Sequence, residues 1–73
     1  MALIKELPFT VESTNLSYDA EKWCQENLGE RYFAIGRKTG NWTVFWNGVK
    51  DRYRYTWHFR NESDAMWFSL KWL

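Results

Sequence analysis

Between Arg52 and Phe59 the chain alternates strictly, with Tyr53, Tyr55, Trp57 and Phe59 at odd positions and Arg52, Arg54, Thr56 and His58 at even ones. Period-two alternation marks a strand with one dry face. On a helix the same four rings would be smeared around much of the cylinder. The spacing therefore predicts a strand over 52–59. The polar, acidic run Asn61-Glu62-Ser63-Asp64-Ala65 then reads as a helix start. The helix it opens, about 62–72, carries Ala65, Phe68 and Trp72 on one stripe and Met66, Leu70 and Leu73 on another, a breadth that implies deep burial or a second contact surface.

Upstream, Ala20, Trp23, Cys24 and Leu28 recur at spacings of three and four and predict a helix over 17–28. Ser17 is the expected N-cap, Asp19 and Glu21 sit at the positive end of the dipole, and Gly29 is the stop. Residues 31–37 read as a strand, Lys38-Thr39-Gly40-Asn41 as a hairpin turn with Gly40 at positive φ, and 42–46 as the returning strand. Asn47-Gly48 begins the loop into 52–59. Near the start, Leu7, Phe9 and Val11 alternate with polar positions, but Pro8 confines this segment to a sheet edge. The expected architecture is α+β: a three-stranded antiparallel meander, with an optional fourth N-terminal edge strand and two helices on one face. The order is (β)-α-β-β-β-α, in a single domain over 1–73.

If the aromatic side of 52–59 faces the helices, Phe33, Ile35, Trp42, Val44 and Trp46 join it there. The opposite side then presents Tyr32, Ala34, Gly36, Thr43, Phe45, Arg52, Arg54, Thr56 and His58. Arginine on a strand suits planar or anionic groups, and Tyr or Phe beside it offers a stacking platform. The expected partner-binding set is Arg52, Arg54, His58, Tyr32 and Phe45, with Arg37 and Lys38 at its rim. A simple solvated sheet face is the plainer alternative.

At 73 residues the chain is close to the lower size limit for a domain. Its six Trp, four Tyr and five Phe supply the bulk that disulfides would otherwise provide, since Cys24 has no partner within the chain. No signal peptide and no apolar run of membrane-spanning length is expected, which places the protein in the cytoplasm. The net charge of +1 hides a segregation. Residues 31–60 hold seven cations against Asp51, a net +6, whereas residues 1–30 hold two cations against six anions, a net −4. Such a dipolar surface steers charged partners.

Catalytic patterns are sparse. His58 has no second His or Cys near it in sequence, which argues against a metal site, and Cys24 lies on the apolar stripe of its helix. No glycine-rich phosphate loop, nucleophile elbow or paired-carboxylate motif occurs. The expectation is a non-enzymatic protein without cofactors. One catalytic alternative stays open, a metal-free ribonuclease built from Arg52, Arg54, His58 and a tyrosine, in a style that resembles small bacterial mRNA-cleaving toxins.

Three resemblances bear on function. The helix, three strands, helix order expected over 17–73 is similar to the double-stranded RNA-binding domain, although Asn61, Glu62, Ser63 and Asp64 stand where that family carries a lysine cluster. Gly40-Asn41-Trp42 through Asn61-Glu62-Ser63-Asp64-Ala65 resembles the sheet-then-helix DNA-binding domain of plant ethylene-response factors and phage homing endonucleases. The ending Asn61-Glu62-Ser63-Asp64-Ala65-Met66-Trp67-Phe68-Ser69-Leu70-Lys71-Trp72 resembles that of small early proteins of tailed phages. That last resemblance implies a phage-encoded binding protein, acting in the host cytoplasm, that inhibits or modulates a host or defence protein through its exposed sheet face. The alternative is a module that contacts RNA or DNA phosphates through the same face. No membrane partner is expected, and monomer and homodimer are equally compatible with the sequence.

Overall fold

The computed structural model describes residues 4–14, 18–33, 35–36, 38–46 and 54–72. Five elements follow in order: β1 (Phe9–Ser13), α1 (Tyr18–Leu28), β2 (Trp42–Trp46), β3 (Tyr55–Phe59) and α2 (Glu62–Trp72). The strands form one antiparallel sheet in the order β1-β3-β2, and helix residues pack against one side of it. The fold is α+β.

The alternation in 52–59 makes β3 the central strand. Phe59 is flanked by Phe9 and Trp42, Trp57 by Val11 and Val44, and Tyr55 by Ser13 and Trp46. These rows form the helix-facing side, where Trp42, Trp57 and Phe59 are fully buried against Ala20, Cys24, Leu28, Ala65 and Phe68. Phe68 is the hub. Its ring centroid lies 4.6 Å from Trp57, 5.2 Å from Phe59 and 6.2 Å from Trp23, tilted geometries that suit the aromatic quadrupole. Both predicted helical stripes are present: Ala20, Cys24 and Leu28 are buried in α1, and Ala65 and Phe68 in α2.

The helix ends follow their residues. Gly29 adopts φ 91° directly after Leu28, the left-handed stop that glycine tolerates. Carbonyls left over at this end accept from the side chains that follow: Asn41 Nδ2 donates to Leu28 O at 3.0 Å and Trp42 Nε1 to Gly29 O at 2.8 Å. The first strand after the helix thus also caps it. At α2, Asn61 precedes the first helical residue and its Nδ2 donates to Asp64 Oδ2 at 3.2 Å.

The third strand is not the one expected. Among the described residues of 31–37 no strand joins the sheet. Arg31 makes an isolated parallel bridge to Trp42, the Tyr32 N–H donates to Trp42 O at 2.7 Å, and Ile35 and Gly36 form a turn. The N-terminal segment supplies the strand instead, so the order is β1-α1-β2-β3-α2 and the meander over 31–59 is replaced. The reason is chemical: Arg31 and Tyr32 find hydrogen-bond partners outside a ladder, as described below. Gly36, at φ 87°, also breaks the alternation. Phe33 and Ile35, expected beneath the helices, are exposed.

Gly40 also has a different role from the one expected. Among the described glycines the positive φ values belong to Gly29 and Gly36, whereas a Cβ on Gly40 would collide with the backbone of Arg31 and Tyr32. Glycine is needed there for a close crossing of two chain segments. Ser17, the Asn47-Gly48 turn and Leu73 lie outside the described residues.

Candidate partner-binding surface

The sheet side opposite the helices carries Thr10, Glu12, Thr43, Phe45, Thr56 and His58 in register, as the alternation requires. It is not open. His58 is 2 % exposed, Thr43 1 % and Thr56 2 %. Two segments that the periodicity does not reveal lie against it. The first is a turn closed by the Leu7 N–H donating to Ile4 O at 3.0 Å. It brings Leu7 to full burial, and the imidazole of His58 is hydrogen-bonded to the Leu7 backbone. By parity Leu7 belongs on the same side as Phe9 and Val11, but Pro8 and the turn release it from the strand. The second is 31–33, from which Arg31 Nε donates to Thr43 Oγ1 at 3.0 Å. The two covers are tied together, since the buried Tyr32 hydroxyl donates to Glu6 Oε2 at 2.8 Å.

Two predicted contact residues are therefore corrected. His58 and Tyr32 are interior groups, since Leu7 and the Glu6–Tyr32 pair fill what the sequence presents as a free face. Burial lowers the imidazole's pKa below its ordinary value, partly opposed by the bond to the Leu7 backbone, and Nδ1 is buried without a hydrogen-bond partner. A general acid or base must reach its substrate. His58 does not. The Tyr32–Glu6 bond raises the phenol pKa and lowers that of the carboxyl. Cys24 is buried and its thiol is pushed up to about 12, by desolvation first and then by Glu21 and Asp64, the opposite of what a reactive cysteine needs.

Two of the described arginines of the basic segment, Arg31 and Arg60, are fasteners. Arg31 bonds Thr43 Oγ1 and, through Nη2, Val44 O at 2.7 Å. It also lies 3.7 Å from Glu21 and 5.3 Å from the Phe33 ring centroid. Arg60 Nη2 donates to Lys38 O at 2.8 Å and Gly40 O at 2.9 Å, which holds the 38–40 turn. Arg54 sits 3.8 Å from Glu12, with both side chains about half exposed. The charge that reads as +6 in sequence is thus partly committed to internal contacts. Lys38 is exposed, while Arg37 and Arg52 lie outside the described residues.

Among the described residues of the sheet, large aromatic side chains are exposed where β2 ends. Phe45 is 51 % exposed at the margin of the His58 side, its ring edge-on to the imidazole at 5.7 Å. Arg54, directly before β3, lies at the same end of the sheet and pairs with Glu12 of β1, across β3 from Phe45. Trp46, expected beneath the helices, is 59 % exposed because β2 runs past the helical cover. Exposed aromatic rings and a half-free guanidinium at one end of a sheet match the composition of interaction hot spots. Of the predicted set, Phe45 and Arg54 are exposed at this end of the sheet. Trp46 escaped prediction because alternation reports a side chain's direction and not how far the covering helices reach.

Among the described residues no group of three or more His, Cys, Asp or Glu is placed to hold a metal ion, and no helix is long and apolar enough to cross a membrane. Comparison with protein-family models, with curated proteins and with solved structures finds no match for this chain.

Proposed function

We propose that this chain is a non-enzymatic binding protein, phage-encoded and active in the host cytoplasm, that modulates a host or defence protein through the open end of its sheet. The observation that carries the reading is the exposure of Phe45 and Trp46 at the end of β2, the end of the sheet at which the half-exposed Arg54 stands. Large rings left half in water on a domain this rich in buried aromatics are poorly explained by packing. Phe45 and Trp46 point to opposite sides of β2, so a partner would grip the strand end from both sides, with Arg54 at the same end of the sheet fixing its orientation. The phage assignment rests on the resemblance of the ending 61–72.

A protein partner is favoured over RNA or DNA because Arg31 and Arg60 are engaged internally. The test is capture from nuclease-treated host lysate by the wild type and by the double variant Phe45→Ala, Arg54→Ala. A protein retained at comparable molar amount by the wild type and lost by the variant supports the reading. Equal retention by both, or affinity for random RNA that falls log-linearly with salt, overturns it.

A further inference from the structure

The two edges of the sheet are treated differently. Along β2, residues 30–32 close the outer edge: the Asn41 N–H reaches Glu30 O, the Tyr32 N–H reaches Trp42 O, and the Arg31 guanidinium occupies Val44 O. This is how natural proteins blunt an edge strand. β1 is the other edge. Among the described residues, Phe9, Thr10, Val11 and Glu12 make backbone bonds to β3 alone. Above that edge runs an apolar groove lined by Phe9, Val11, Ala65, Met66 and Leu70. Phe9 and Val11 are half-buried, while Met66 is 61 % and Leu70 85 % exposed. α2 is therefore apolar on two sides, and the core uses one of them.

We infer that a second copy of this chain covers this face, with β1 pairing antiparallel to β1 of its partner and the two α2 helices lying side by side across the same two-fold axis. The edge residues 9–12 find partners across the axis when it passes Val11. Val11 then faces its copy, Thr10 faces Glu12, and Phe9 faces Ser13. That register sets no like charges opposite one another and leaves Pro8, which has no donor, outside the ladder. The helices run antiparallel. The acidic first turn with Glu62 and Asp64 therefore lies towards the partner helix end that carries Lys71, and the two helix dipoles oppose. A self-complementary patch of this kind is what a two-fold interface demands. The product is a continuous six-stranded sheet with Met66 and Leu70 inside, and its two partner-gripping strand ends face away from the axis.

A seam of one five-residue strand edge and the exposed Met66 and Leu70 makes a weak association, so the dimer is expected to dissociate at about 1–100 μM. Sedimentation equilibrium over that range tests it. The wild type should move from 8.9 kDa towards twice that mass. Leu70→Lys, at a position too exposed to matter for folding, should weaken association at least about tenfold with unchanged melting of the dilute protein. Val11→Cys should cross-link to itself on oxidation, because directly opposed strand residues lie within disulfide reach. Glu12→Cys, opposite Thr10 of the partner subunit, should not. A wild type monomeric throughout, a dimer indifferent to Leu70→Lys, or equal cross-linking at both positions overturns the inference. The Phe45→Ala, Arg54→Ala variant should dimerise normally, so this result and the capture result can fail independently.

Discussion

Replacing Arg31 by alanine tests most of the architecture at once. Its guanidinium makes two charge-assisted hydrogen bonds, to Thr43 Oγ1 at 3.0 Å and Val44 O at 2.7 Å, and its side chain is 28 % exposed beside Glu21. Hydrogen bonds to charged groups are worth about 1.5–3 kcal/mol each when sheltered. Partial exposure and the weak 3.7 Å ion pair reduce the sum, leaving an expected loss of about 2–4 kcal/mol. A 73-residue domain has roughly 4–11 kcal/mol to lose, so the urea midpoint should fall markedly. Arg31→Lys keeps the charge but cannot fork to two acceptors, and should recover less than half of the loss. The variant also uncovers the β2 edge, so aggregation should rise with concentration. Loss below about 0.5 kcal/mol, the range of ordinary surface substitutions, or full rescue by lysine would refute the claim that this arginine closes the sheet.

Other expected outcomes follow from the same geometry. Phe68→Ala, which empties the site shared by Trp57, Phe59 and Trp23, should cost about 3–5 kcal/mol and abolish most of the cooperative thermal transition. Gly40→Ala should destabilise severely by calorimetry, because the new methyl meets backbone on Arg31 and Tyr32, whereas Thr39→Ala, at an exposed turn position, should be nearly neutral. The lowered pKa of His58 means that the unfolded chain binds its proton first. The contribution is therefore complete above the unfolded value near 6.5 and is lost as pH falls from there through the folded value. A denaturation midpoint that declines between pH 7 and pH 5 in the wild type, and less in His58→Gln, checks this. Native Cys24 should react with a thiol probe only after unfolding.

The sequence makes plain whatever depends on local periodicity. Both helices, the stop of the first at Gly29, the central strand and its core-facing Trp57 and Phe59 all follow from spacing and capping chemistry. What is hidden depends on long-range pairing. Residues 31–37 and 9–13 both alternate, and the choice between them is made by where Arg31 and Tyr32 find acceptors, twelve or more positions away in Thr43, Val44 and Glu6. The same blindness affects the site. Alternation correctly separates His58 from Trp57, but whether the second side is wet depends on Leu7 and Tyr32 folding over it. Of the proposed surface, Phe45 and Arg54 were legible because strand direction and exposure agree there. Trp46 was not.

The account turns on the second side of the sheet being filled, so that a partner finds only its end. Because the chain has a single histidine, a proton NMR titration of the imidazole reports this without ambiguity. A midpoint below the ordinary 6.5, with ring signals undisturbed by added RNA, is the predicted result. A midpoint at or above 6.5, with ring signals that shift when RNA is added, would contradict it.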